Sequence, residues 1–363
     1  MPNLLDLLPK RLYTFDVIRK IVYLFFAIAL LFIGALFLFP KTSFQKNPLI
    51  FKIPTVTPNP ATLEPLSIIS MRQKLYPGSD ITIEETLNPG TNYNRYIASY
   101  ISDGLKIYGL LTVPTGTQPK GGWPAIIFNH GYIPPEQYNP TERYIAYTDA
   151  FSRNGYVLFK PDYRGNGNSQ GNPEGAYYSP AYATDVLNAL SSVKKLSYVN
   201  PERIGMWGHS MGGNITLRDI IVNTKDIKAA VIWGGVVGSY NDLMHNWQRK
   251  VPYVPSPKEL TNRNMYRQAL LNKYGDPSQN PTAWGYLDPT NYLTEITTPI
   301  QLDAGESDEE VPIEFSQSLY DKLKALHKSV ELYIYPNGDH NISDPNFTSA
   351  IQHSLDFFNQ YLK

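Results

Sequence analysis

At 363 residues, 42% of them hydrophobic and 18% charged, the chain has enough apolar surface to bury one large core or two smaller ones. Its 32 basic residues balance 32 acidic ones, and no Lys/Arg cluster interleaves with aromatic residues, so the electrostatic footprint of a nucleic-acid binder is missing. Cysteine is absent, which excludes disulfides, thiolate metal sites and cysteine nucleophiles together, without choosing a compartment.

Residues 1–20, read as a cytoplasmic N-terminus, carry Lys10, Arg11, Arg19 and Lys20 ahead of an apolar run of 19 residues, Ile21 to Phe39, with no charge and no proline. A helix of that length crosses the roughly 30 Å hydrocarbon core of a bilayer. Lys41 and Lys46 follow it, so the basic excess lies on the N-terminal side and keeps that side in the cytoplasm. The run is long for the apolar region of a signal peptide, and no convincing A-x-A site follows it. An uncleaved transmembrane signal anchor at 21–39 is expected, with secretion after cleavage as the alternative. Either way the remaining chain lies on the extracytoplasmic side.

Between residues 40 and 65, prolines at 40, 48, 54, 58, 60 and 65 prevent helix and sheet pairing, so this reads as a semi-rigid extended linker. Ser67 to Tyr76 suggests a short helix. The pattern then becomes periodic: 81–87, 93–101 and 105–113 run at strand length, the last two joined by the Ser102-Asp103-Gly104 turn, a hairpin signal. Further strands are predicted at 125–128, 157–160, 204–207, 230–233, 300–302 and 331–335. Helical patterns lie near 142–154, 180–195, 211–222, 313–327 and 348–361. Antiparallel strands followed by repeated strand-helix units predict an α/β fold over 66–363, with a mostly parallel central sheet flanked by helices.

Where the 204–207 run gives way to a helical pattern stands Gly205-Met206-Trp207-Gly208-His209-Ser210-Met211-Gly212-Gly213, which contains the G-x-S-x-G nucleophile elbow. A serine at such a turn takes a strained positive φ, and Gly208 and Gly212 remove the β-carbons that would clash around it. Its partners are sought at the carboxyl ends of later strands. Beyond 300–302, Asp308 is the best placed acid, with Glu306 and Asp303 as runners-up. Beyond the last strand comes Pro336-Asn337-Gly338-Asp339-His340, and His340 hangs where a general base must hang. His340 would take the Ser210 proton during attack and Asp308 would fix the imidazole tautomer. The oxyanion would be held by the backbone N–H of Met211 and, from the Asn129-His130-Gly131-Tyr132 loop, that of Tyr132; one such donor is worth roughly 3 kcal/mol. His130 reads as a structural hydrogen-bonding residue, and His209 as packed and pointing away from the serine.

The set His130-Gly131, Asp162-Tyr163-Arg164-Gly165, Gly208 to Gly213, Gly305 to Asp308 with Val311-Pro312, and Gly338-Asp339-His340 resembles the catalytic domain of the prolyl oligopeptidase (S9) family, to which dipeptidyl and acylaminoacyl peptidases belong. The resemblance covers about Asn92 to Lys363 and implies an α/β-hydrolase fold, Ser210, Asp308 and His340 as triad, and Tyr132 beside the oxyanion. Peptidases of that family commonly carry a β-propeller before the hydrolase domain. Here a membrane segment, a linker and a few strands precede it, so the propeller's peptidase specificity is not carried over, and single-domain relatives include esterases.

Substrate selection then falls to residues 238–292, an aromatic-rich insertion that reads as a helical cap over the site. Trp247 and Trp284 within it, and Tyr177 and Tyr178 after the glycine-rich 164–175 loop, are the candidate substrate-binding side chains. Arg164 to Asn168 lacks the Gly-Lys-Ser/Thr ending of a phosphate loop. No H-E-x-x-H pattern or His/Asp cluster argues for a metal. The sequons at Asn214 and Asn341 read as accidental, because one opens the nucleophile helix and the other adjoins His340. The chain is thus expected to be a membrane-anchored serine hydrolase with no cofactor and no metal, working through an acyl-enzyme on a short peptide or small molecule. The peptidase reading comes first, with a carboxylesterase on acyl or aryl esters, or a catalytically silent binding module, as alternatives.

Overall fold

A computed structural model describes residues 64–252 and 255–363. The apolar run at 21–39, with all but the end of the linker, lies outside the described residues; within them no helix is long and apolar enough to cross a membrane.

Among the described residues a nine-stranded sheet runs in the order β1-β2-β3-β5-β4-β6-β7-β8-β9. Its strands are β1 (Thr82–Leu87), β2 (Tyr93–Ser102), β3 (Leu105–Pro114), β4 (Trp123–Asn129), β5 (Val157–Pro161), β6 (Val199–His209), β7 (Ala229–Trp233), β8 (Ile300–Gly305) and β9 (Val330–Tyr335). The first three pair antiparallel, β3 pairs antiparallel with β5, and every pairing from β5 through β9 is parallel. The β2–β3 hairpin turns through Asp103 and Gly104 alone, both at positive φ, which tightens the three-residue turn read from the sequence.

The central strands read as continuous apolar runs because helices cover both of their faces. On one face α1 (Ile68–Gln73), α3 (Ala181–Val193), α4 (Met211–Val222) and α7 (Ile313–Ala325) bury Met71, Val186, Ile215 and Leu319 in one core that runs across the sheet from β2 to β9, with α7 over β8 and β9. On the other, α2 (Ile145–Arg153) and α8 (Phe347–Leu362) bury Phe151 and Phe358 against Trp207 and Trp233. The α2 pattern read from 142 begins three residues later, because Tyr144 sits at φ 61, outside helical geometry. Between β7 and β8 lie α5 (Pro257–Tyr274) and the one-turn α6 (Pro281–Trp284). The insertion is helical as expected, although the sequence pattern predicts no bounds for the helices within it.

What positions the site is the change of winding direction at β4, which has β5 on one side and β6 on the other. Ligands of open α/β sheets gather outside the carboxyl ends of strands at such a switch point. Asn129 at the end of β4 is in register with Gly208 of β6, and His209 with Trp233 of β7. Farther along, Trp233 pairs with Asp303 and Gly305 with Tyr335, so the loops after β4, β6, β8 and β9 emerge along one edge.

Candidate active site

Ser210 stands between the end of β6 and the start of α4 at φ 55 and ψ −117, a region that residues other than glycine rarely enter. Its own N–H donates to the Trp233 carbonyl at 3.0 Å, and its carbonyl accepts from Val236 and Gly213, so the turn is held from both sides. Gly212 is required by the neighbouring strand: a β-carbon there would lie 1.9 Å from the carbonyl oxygen of Asn129. Closeness of α4 to β4 is what brings the Gly131–Tyr132 backbone beside the serine, and a β-carbon on Gly131 would be 3.1 Å from Ser210 Cβ. Met211 is the first residue of α4, so its N–H has no acceptor within the helix.

Two loops bring an acid to a histidine. Gly305 ends β8 against the loop after β9 so tightly that a β-carbon would fall 2.3 Å from the carbonyl oxygens of Gly338 and Asp339. That contact sets Asp308 Oδ2 2.7 Å from His340 Nδ1, with both side chains buried. Asp308 Oδ1 also accepts the N–H groups of Glu310 and Val311. Burial pushes the Asp308 carboxyl up, but the His340 ring and those two amides outweigh it and leave the group below the usual carboxylate range. It is therefore an ionised acceptor at neutral pH, and His340 is fixed with its proton on Nδ1. The runners-up are occupied elsewhere. Asp303 lies within β8 and accepts from Tyr335 and Gln301, while Glu306 accepts the Asn337 N–H.

His209 departs from its reading. It is buried, but it faces the site and lies beside His340 with 4.6 Å between ring centroids and the rings tilted by 46°. Gly131 N–H donates to the Tyr144 hydroxyl at 2.9 Å, that hydroxyl lies 2.7 Å from His209 Nδ1, and His209 Nε2 lies 3.0 Å from the His340 carbonyl. With the ring neutral, only one assignment satisfies all three bonds: the hydroxyl accepts from Gly131 and donates to Nδ1, so Nε2 carries the ring proton and donates to His340. Burial, with His340 adding to it, lowers the His209 pKa to about 3 and keeps the ring neutral. His130 is the structural residue the sequence suggested, buried with its pKa lowered to about 3 and stacked between Tyr138 and Tyr163.

Ser210, Met211, His340 and Tyr132 line one cavity of about 640 Å³, in the size range of small-molecule sites. Tyr177, Tyr178 and Trp247 line it too, the last with its indole N–H on the Glu310 carbonyl at 2.7 Å. Trp284 is the correction. It is 2% exposed, packs against Tyr240, Tyr274 and Leu270, and donates its N–H to Gly275, so it holds the insertion together and does not reach the cavity.

Sequence reasoning also missed the charged wall. Arg143, Arg249, Arg263 and Arg267, with Glu259 and Glu310, line the same cavity. The signal was present in Ser256-Pro257-Lys258-Glu259, a capping box with proline at the first helical position, and in the Gly275 that closes α5. Ser256 Oγ accepts the Glu259 N–H, and the Tyr132 hydroxyl accepts the Ser256 N–H at 3.0 Å. Asn214, in the first sequon, gives its amide to the Val236 carbonyl and is 4% exposed. Among the described residues no group of His, Asp and Glu is arranged to hold a metal ion.

The family model described as the prolyl oligopeptidase family matches residues 143–363. The chain belongs to the prolyl oligopeptidase family. That membership makes it a serine hydrolase, and the matched segment runs from Arg143 through the elbow, the acid loop and His340. The uncharacterized peptidase YtmA of Bacillus subtilis (strain 168) is 28% identical over 253 residues, which are 70% of this chain and 88% of that protein. Among solved structures, the acylaminoacyl peptidase of Pyrococcus horikoshii superposes with a TM-score of 0.60 at 20% identity, covering 75% of this chain and 42% of that one. The acetyl xylan esterase of Paenibacillus sp. R4 superposes with a TM-score of 0.58 at 19% identity, covering 81% and 92%. At those identities the two structures establish the α/β-hydrolase fold alone.

Proposed function

We propose that this prolyl oligopeptidase family member is a serine peptidase that works through an acyl-enzyme, with Ser210 as nucleophile, His340 as general base and Asp308 as its orienting acid. The observation that carries the reading is the 2.7 Å bond between His340 Nδ1 and Asp308 Oδ2, in a cavity that also exposes the positive-φ serine. With Asp308 holding the proton on Nδ1, His340 Nε2 is left as the acceptor for the Ser210 proton while Oγ attacks the substrate carbonyl. The Met211 and Tyr132 backbone N–H groups hold the oxyanion. The imidazolium then protonates the leaving group, and water repeats the sequence to release the acid. Residues 238–292 form the substrate-selecting cap in this reading, with its Trp247 joining Tyr177 and Tyr178 of the body as the apolar wall of the cavity.

A carboxylesterase is the second reading, favoured by one observation: the structural likeness takes in 92% of the acetyl xylan esterase chain but only 42% of the acylaminoacyl peptidase chain. Aminoacyl anilides and p-nitrophenyl esters offered to the purified chain and to Ser210→Ala separate the two. Hydrolysis of esters alone overturns the peptidase reading, and activity that survives in Ser210→Ala overturns the triad. A wild type that a fluorophosphonate probe does not label points to a binding module.

The same proposal places the catalytic domain outside the cytoplasmic membrane, anchored by residues 21–39. Recovery of the full-length chain in the membrane fraction, with the domain digestible by protease added from outside, is the expected outcome. Recovery from the medium of a chain shortened at its N-terminus supports secretion instead.

A further inference from the structure

The chain as a whole is electrically balanced, 32 basic against 32 acidic residues. The cavity that holds Ser210 is not: among the described residues four arginines and two glutamates line it, a formal excess of two positive charges. One of the glutamates is already used, since Glu310 Oε2 lies 2.5 Å from Arg249 Nη2. The other stands at the start of a stripe. Glu259, Arg263 and Arg267 are four residues apart on α5, hence on one face of the helix, and all three line the cavity.

Along that stripe exposure rises from buried Glu259 through half-buried Arg263 to exposed Arg267, so the two guanidinium groups run from the interior toward the mouth. Arg267 lines the same cavity as Tyr178, which sets the basic stripe beside the aromatic wall. Arg143 lies on another wall; its carbonyl accepts from the buried Lys160 ammonium at 3.0 Å, which fixes the backbone from which its side chain extends. Planar guanidinium forks match carboxylates in two-point geometry, and a cleft with an excess of one sign concentrates ligands of the other.

We propose that the substrate carries a carboxylate, received by Arg263 and Arg267 of α5 while its scissile carbonyl lies at Ser210. The assignment deepens the hydrolase reading and rests on it for the position of the scissile bond. The carboxylate can belong to the acyl part, as in a dicarboxylic half-ester, or to the departing part, as at the C-terminus of a short peptide, and the test separates the two.

The full chain in detergent is offered matched sets that differ in one charge. On the acyl side these are p-nitrophenyl pentanoate, its analogue ending in a carboxylate and its analogue ending in an ammonium group. On the leaving side they are acetylated tripeptides with a free or an amidated C-terminus. The expected result is a kcat/KM roughly tenfold higher for the carboxylate member of at least one set, carried by KM and reduced by added salt. In Arg263→Gln/Arg267→Gln that ratio falls to about one, whereas Arg203→Gln, distant on β6, keeps it; Arg263→Lys keeps part of it, because the charge remains and the fork is lost. Equal rates within every set, or preference for the ammonium member, overturn the assignment. Fluorophosphonate labelling of the wild type is measured alongside. A labelled enzyme without carboxylate preference leaves the hydrolase reading standing and removes this one. If the wild type does not label, the hydrolase reading falls, and binding of monomethyl against dimethyl glutarate to Ser210→Ala decides the carboxylate assignment by itself.

Discussion

Replacing Tyr144 by phenylalanine removes a single oxygen that serves two buried partners. Gly131 N–H donates to it at 2.9 Å and His209 Nδ1 lies 2.7 Å away. Each buried group left without a partner costs about 1–3 kcal/mol. Release of the hydroxyl's own desolvation returns part of this, so Tyr144→Phe should lower the unfolding free energy by about 2–3 kcal/mol in urea titrations followed by tryptophan fluorescence. His209 gains nothing by moving its proton to Nδ1, because Nε2 would then face the His340 carbonyl as a second acceptor. The strain therefore stays in the Gly131–Tyr132 backbone, which lies against Ser210. A displacement of about 1 Å at such a place costs on the order of a hundredfold in rate, so fluorophosphonate labelling of Ser210 should slow by about ten- to a hundredfold. Labelling at the wild-type rate, with stability unchanged to within about 0.5 kcal/mol, refutes the bond assignment through Tyr144.

The same histidine makes stability depend on pH. Its folded pKa, about 3, lies below the ordinary 6.5, so its contribution is complete above pH 6.5 and is lost as pH falls toward 3. Between about pH 7.5 and about pH 5 the stability of wild type relative to His209→Gln should shrink by about 2 kcal/mol; a constant difference across that range contradicts a neutral buried ring. Asp308→Asn, which keeps the shape but removes the charged acceptor on His340 Nδ1, should lower kcat by about ten-thousandfold in a steady-state assay, with KM little changed. Trp284→Ala should cost about 3–5 kcal/mol in thermal or urea unfolding, as loss of a buried indole in the insertion's own core does. Gly212→Ala drives a methyl group into the Asn129 carbonyl and should abolish labelling of Ser210 in a chain that still folds by circular dichroism.

The strands that frame the site were legible because both faces of a parallel sheet are covered, so Ala125 to Phe128 and Ala230 to Trp233 are apolar at every position. The elbow was legible because its glycines answer to backbone contacts that no side chain can share. Helix α5 was not, since only Glu259 and Leu270 of its 18 residues are buried and no apolar stripe marks it. Its evidence lay in the caps instead. Trp284 was misplaced for a related reason: an aromatic count shows that an insertion has a core but not which rings belong to it. His209 and Tyr144 meet through segments 65 residues apart, and the positive φ that turns Tyr144 inward has no signature in a tyrosine.

The Tyr132 hydroxyl ties the backbone beside the serine to the Ser256 N–H at the head of α5. One consequence concerns the transfer of parts between relatives. A cap exchanged from another family member whose backbone does not bring an N–H to the Tyr132 hydroxyl would lose that bond, and turnover would fall together with the change in selectivity. Grafts that carry residues 256–259 along with the helix should keep the two properties separable, which makes this short segment the natural seam for recombination.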